Sequence, residues 1–135
     1  MNGAYLKNIG IVDLSAGTYH ALVYDSDYTP DLAADDTYSD IPPGAIIVDD
    51  ALSGVTFADG VFDADDITYT SPPAARTPAG IVIYQAASPS SGALLICQMD
   101  DEATYAGLGT PTDGSNLRIV WPNGTSKIMR FVNPA

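Results

Sequence analysis

Cysteine, histidine, tryptophan and glutamate occur once each in this chain of 135 residues, as Cys97, His20, Trp121 and Glu102. A lone cysteine excludes an intrachain disulfide. With a lone histidine beside it, no nitrogen–sulfur ligand set for zinc remains. A Ser-His-Asp system would have to use His20, which sits inside a strand-like run, and no Gly-x-Ser-x-Gly elbow accompanies it. A Cys97–His20 pair is conceivable, but both residues lie in strand-like runs. No Gly-rich loop matches the phosphate or dinucleotide patterns. The expectation is therefore no catalytic residue and no enzyme.

Positive charge is equally scarce. Lys7, Arg76, Arg118, Lys127 and Arg130 stand against 17 acids, for a net charge of −12. Such a balance argues against duplex nucleic acid, which needs a basic footprint, and against docking on an anionic membrane. It suits solubility at high concentration or a basic partner surface. No apolar run approaches the length of a membrane span, and the N-terminus lacks the basic flank and apolar core of a signal peptide. The chain reads as one made in soluble form.

Sixteen of the acids are Asp, and they accompany 12 Gly and 10 Pro. Asp favours turns and caps where Glu and Lys favour helix interiors, so the composition describes short strands joined by many turns. Residues 18–24 are rich in β-branched and aromatic side chains and predict a strand. Residues 25–44, interrupted by Pro30, Pro42 and Pro43, predict a long surface loop with one helical turn around Thr37–Asp40. Asp59-Gly60, between residues 55–57 and 61–62, is a tight-hairpin signal. The two most apolar runs, 80–86 and 93–99, predict adjacent central strands. Residues 67–70, 117–121 and 127–132 supply further strands, and Asn123-Gly124 predicts a hairpin between the last two. Residues 1–14 predict a short helix or irregular arm. The fold class is all-β: an antiparallel β-sandwich or small β-barrel of seven to nine short strands, in one domain spanning 1–135.

Asp59, Asp63, Asp65 and Asp66 place four carboxylates within eight residues. They are the candidate ligands for Ca²⁺, which takes six to eight hard oxygens, although the EF-hand spacing is absent. The competing expectation is that these and the other Asp pairs are turn caps. The acids all lie at or before Asp113, whereas the final 22 residues carry Arg118, Lys127 and Arg130 and no acid. Those cations either meet the acidic body of their own domain or form a contact patch for a neighbouring copy. The eight tyrosines and Trp121 are core residues or, on an exposed face, a platform for sugars.

Several segments resemble, in order, small structural proteins of tailed bacteriophages and prophages. They are residues 21–30 (ALVYDSDYTP), 41–45 (IPPGA), 51–56 (ALSGVT), 59–69 (DGVFDADDITY), 79–84 (AGIVIY), 94–96 (LLI) and 119–124 (IVWPNG). The resemblance implies a virion structural protein with no catalytic residues to carry over. The first expectation is a decoration, or cement, protein on the capsid surface. Its partners would be the major capsid protein and other copies of itself, with a trimer as the expected oligomer, and synthesis would take place in the bacterial cytoplasm. The alternatives are a neck, tail or fibre-associated component, and a displayed glycan- or Ca²⁺-binding module.

Overall fold

The computed structural model describes residues 4–6, 17–31, 34–58, 61–87, 92–100, 105, 107–122 and 128–130. Ten strands run through them: β1 (Ala4–Leu6), β2 (Tyr19–Tyr24), β3 (Ile46–Ala51), β4 (Thr56–Ala58), β5 (Val61–Asp63), β6 (Ile67–Tyr69), β7 (Gly80–Gln85), β8 (Leu94–Met99), β9 (Leu117–Ile119) and β10 (Met129–Arg130). All pairings among the described residues are antiparallel, so the all-β expectation is met, with ten strands where seven to nine were expected. The main sheet has the order β1-β8-β7-β2-β3; β10-β5-β4 and β6-β9 form two smaller sheets. None of the described helical turns is long and apolar enough to cross a membrane.

Side chains alternate across a strand, so each face of the main sheet builds its own core. Tyr19, Ala21 and Val23 of β2 and Ile81 and Ile83 of β7 face one way. They pack on Phe62, Ile67, Tyr69, Leu117, Ile119 and Trp121 of the smaller sheets. Leu22, Tyr24, Val82 and Tyr84 face the other way, against Tyr28, Ile41, Ala45 and Ala93. This is why 80–86 and 93–99 read as continuous apolar runs: both of their faces are covered. A one-residue bulge reinforces the pattern. Ile83 pairs with Cys97 but Tyr84 pairs with Leu95, and the extra Ile96 joins the first core beside Cys97.

Three expectations are corrected. Residues 25–44 are more than a surface loop, because Tyr28 and Ile41 are buried and seal the second face of the sheet. The segment holds two 3-10 turns, Tyr38–Asp40 and Pro43–Ala45, the first where a turn was expected. The arm is not wholly helical or irregular, since Ala4–Leu6 pairs with Cys97–Met99 and satisfies the outer edge of β8. Finally, among the described residues β9 and β10 do not pair with each other: β9 pairs with β6 and β10 with β5. The expected turn at Asn123-Gly124 lies outside the described residues. The end of β9 is anchored elsewhere. Trp121 donates its backbone N–H to Asp66 Oδ1 at 2.9 Å and its Nε1–H to the Asp65 carbonyl at 3.0 Å, fixing the end of β9 on the 64–66 turn. Pro122 then has no N–H to continue a ladder.

Candidate functional site

The expected Asp residues divide among separate tasks. Asp59 lies outside the described residues. Asp63 closes β5 opposite Thr56. The Asp65 carboxylate accepts a long bond from Ser53 Oγ at 3.5 Å and lies against Gly54, whose φ of +62° and missing Cβ make room for it. Asp66 receives Trp121 on one oxygen and Arg118 Nη2 on the other, at 3.2 Å. Among the described residues, no three His, Cys, Asp or Glu side chains are grouped to hold a metal ion. Many of the remaining acids act as turn builders. Asp35 binds the Tyr28 hydroxyl and the Asp31 N–H, and Asp40 binds the N–H groups of Asp36 and Thr37. Asp113 accepts from both the N–H and the hydroxyl of Ser115, which hold its carboxyl below the usual range.

Of the expected contact cations, Arg118 is 62% exposed yet paired with Asp66 of its own domain. Lys127 lies outside the described residues, and Arg130 is described only as a backbone position in β10. Arg76, not singled out by the sequence, donates to Asp25 Oδ2 from Nε at 2.9 Å and from Nη2 at 2.6 Å. It also donates to the Gly44 carbonyl, so it ties three loops together. His20 and Cys97 do not meet. Cys97 is buried in the first core, where desolvation pushes its thiol up to about 12. His20 lies on the opposite face, stacked on Tyr84 at 5.2 Å. Six tyrosines and Trp121 are buried, which is core packing and not an open sugar platform.

One polar constellation escaped the sequence reading. Asp49, on β3, accepts the Tyr84 hydroxyl on Oδ2 at 2.6 Å and lies 3.3 Å from His20 Nδ1 through Oδ1. The Tyr38 and Tyr84 rings touch at 5.0 Å. Burial, then the hydrogen bond and charge of Asp49, push the Tyr84 phenol well above its ordinary value; burial and nearby Asp49 raise Tyr38 as well. Three strands, β2, β3 and β7, thus meet on one carboxylate, with the turn at 38–40 beside it. His20 and Tyr84 are 29 and 35 positions from Asp49, so no local motif announces them. Chemically, Asp49 is a hub whose acceptor capacity is largely taken up by groups of its own domain.

Beside the hub runs an open groove of about 320 Å³, with Val48, Asp49 and Asp50 on one wall and Tyr69, Ser71 and Pro73 on the other. Tyr69 donates its hydroxyl to the Ala21 carbonyl at 2.6 Å. Burial first, then the nearby charges of Asp49 and Asp50, raise its phenol strongly. Ser71 holds a left-handed φ of +48°, with its N–H on Asn116 Oδ1 at 3.2 Å. Compared with protein-family models, curated proteins and solved structures, the chain matches none.

Proposed function

We propose that this chain is a non-enzymatic virion structural subunit, a head decoration protein that binds the capsid exterior and stabilises it. The observation that carries this reading is how the domain spends its charge. Both arginines with described side chains, Arg76 and Arg118, are turned onto acids of the same domain. The large excess of Asp is left to the surface, where Asp31, Asp36, Asp50 and Asp113 are exposed. His20 and Cys97 lie on opposite faces of the main sheet, and the Tyr69 and Tyr84 hydroxyls are engaged in holding strands together. A stable, anionic β domain of this kind suits a subunit used in many copies. Each copy adds buried area on a lattice, repetition supplies avidity, and the shared negative exterior keeps particles apart. The partners in this reading are the major capsid protein and further copies of the chain, as a trimer. The resemblance of the segment order to small structural proteins of tailed phages points the same way.

Mass spectrometry of purified virions from the host carrying the gene, followed by cryo-electron microscopy, tests it. Many copies on the capsid lattice are the expected result. A few copies at the neck or tail would move the subunit to that part of the particle. Absence from the particle would overturn the structural reading.

A further inference from the structure

Among the described residues, β3 ends the main sheet and no strand pairs with its outer edge. The alternation of bonds along the β2–β3 ladder fixes which groups point outward. Leu52 N–H bonds to the Tyr19 carbonyl at 2.8 Å, so Tyr19 and Leu52 form a bonded pair. With His20 opposite Ala51 and Leu22 opposite Asp49 in register, the next bonded pairs are Ala21–Asp50 and Val23–Val48. The backbone groups of Asp49 and Ala51 therefore face away from β2, at the outer edge of the sheet, and Asp49 lines the groove there. Ala51 confirms the parity: its N–H is taken by the Asp50 side chain at 3.0 Å. Beyond Val48 the register shifts by one residue, so the outward row is short.

Among the described residues, no backbone hydrogen bond joins the far wall to this edge. Pro72 and Pro73 in that wall have no N–H to donate. An extended chain laid in the groove would run beside the outer edge of β3. Charge selects which chain. Asp49 and Asp50 are consecutive, so their carboxylates flank the edge on opposite faces of the sheet. Pairing of β3 with β3 of a second copy would bring aspartates against aspartates, an arrangement that destabilises a cross-strand pair. A strand carrying two adjacent cations would set one against the exposed Asp50 carboxylate and the other beside Asp49, which keeps its negative charge while its oxygens face Tyr84 and His20.

We propose that the open edge of β3 docks an extended basic segment of a partner protein, which adds to the main sheet as a sixth strand. This is recognition by strand addition, in which main-chain bonds give affinity and alternate side chains give specificity. It deepens the assembly reading, and rests on it only for the partner's identity: a terminal arm or loop with paired Lys or Arg in a β-forming run.

The test uses the full chain, ¹⁵N-labelled, titrated with a capped octapeptide of Thr and Val around a central Lys-Lys pair. Amide shifts confined to 47–51 and 69–71 are expected. Asp50→Asn should weaken binding by up to about fivefold, the weight of one cross-strand charge pair. The same peptide with N-methyl groups on alternate residues, which removes the strand hydrogen bonds, should leave the spectrum unchanged. Equal binding by the N-methylated peptide, or by a Glu-Glu version, would overturn the proposal. So would an unchanged spectrum with the Lys-Lys peptide, in which case the edge acids serve only to keep strands away. Sedimentation showing a dimer that the peptide dissociates would assign the edge to a second copy and overturn it too. None of these outcomes bears on whether the chain is found in virions, so the two readings fail separately.

Discussion

Replacing Gly80 with alanine should be one of the most damaging small substitutions in the protein. Gly80 opens β7 directly opposite Tyr24 of β2, and the tyrosine ring lies over it. A Cβ built there would collide with the hydroxyl and ring carbons of Tyr24. The ring has no room to yield, because Tyr24 is 2% exposed and packs edge-on to Tyr28 at 5.0 Å. Its hydroxyl also accepts the Gln98 Nε2–H at 2.5 Å, and Gln98 is itself 1% exposed. Moving the ring costs overpacking strain, about 1–3 kcal/mol, and leaves a buried amide unsatisfied, about 1–3 kcal/mol more. A total of about 2–6 kcal/mol is a large share of the stability of about 5–15 kcal/mol usual for a domain. Urea denaturation followed by far-UV circular dichroism measures it: the midpoint should fall by about 1–3 M with little change in slope. Gly44→Ala is the control, since a Cβ there meets nothing within 4 Å. In a Tyr24→Ala background the Gly80→Ala cost should largely vanish, because the collision partner is gone. A Gly80→Ala loss below about 0.5 kcal/mol, within the range of ordinary surface changes, would refute this account of the Tyr24–Gly80 contact.

Asp66→Ala should cost more than Arg118→Ala. It removes the acceptor for the part-buried Trp121 N–H, worth about 1–3 kcal/mol, whereas the exposed ion pair alone is worth about 0–1 kcal/mol. Denaturation of the two variants side by side gives the order, and a reversal would show that the charge matters more than the strand anchor. Stability should fall in alkali: the phenols of Tyr69 and Tyr84 are raised in the folded state, so their contribution is complete below the unfolded value of about 10 and is lost as pH rises above it. Tyrosinate absorbance at 295 nm should therefore appear together with unfolding, and ionisation of all tyrosines in a still-folded chain would contradict it. The Cys97 thiol, raised to about 12 and buried, should react with a disulfide reagent at a rate set by opening of the domain, so denaturant should accelerate labelling in step with unfolding.

Much of the fold was legible because it is written locally. The β7 and β8 runs, the β4–β5 hairpin around Asp59-Gly60 and the turn at 38–40 each carry their own chemistry in consecutive residues. The failures share one physical cause, which is that the decisive partner lies far away in the chain. Asn123-Gly124 favours a hairpin, but Trp121 is held 55 and 56 positions back, by Asp66 and Asp65. Residues 25–44 look polar because Tyr28 and Ile41 are isolated among Asp, Pro and Ser, with no period to mark them as a cover. The three-residue β1 has too short a pattern to distinguish from an irregular arm, and only the exposed ladder of β8 gives it a reason to be extended. The Asp49 hub joins residues that are 29 and 35 positions from it, so its carboxylate reads as one more acidic turn until the sheet is assembled. Of the residues proposed for metal or partner binding, Asp66 and Arg118 are 52 positions apart and were assigned to different tasks. What sequence could not say is that they would use each other.

The two interiors on either side of the main sheet also shape how this sequence can drift. Ala21 and Leu22 are neighbours in the chain but belong to different cores, while Ala21 and Ile83, or Leu22 and Val82, are registered partners within the same one. A change of volume at one position is therefore best compensated across the strand, not along it. Over evolutionary time, substitutions should covary in two interleaved sets, odd and even positions of β2 each following its own face, so that one side of the domain can be rebuilt for a new partner while the other keeps the fold.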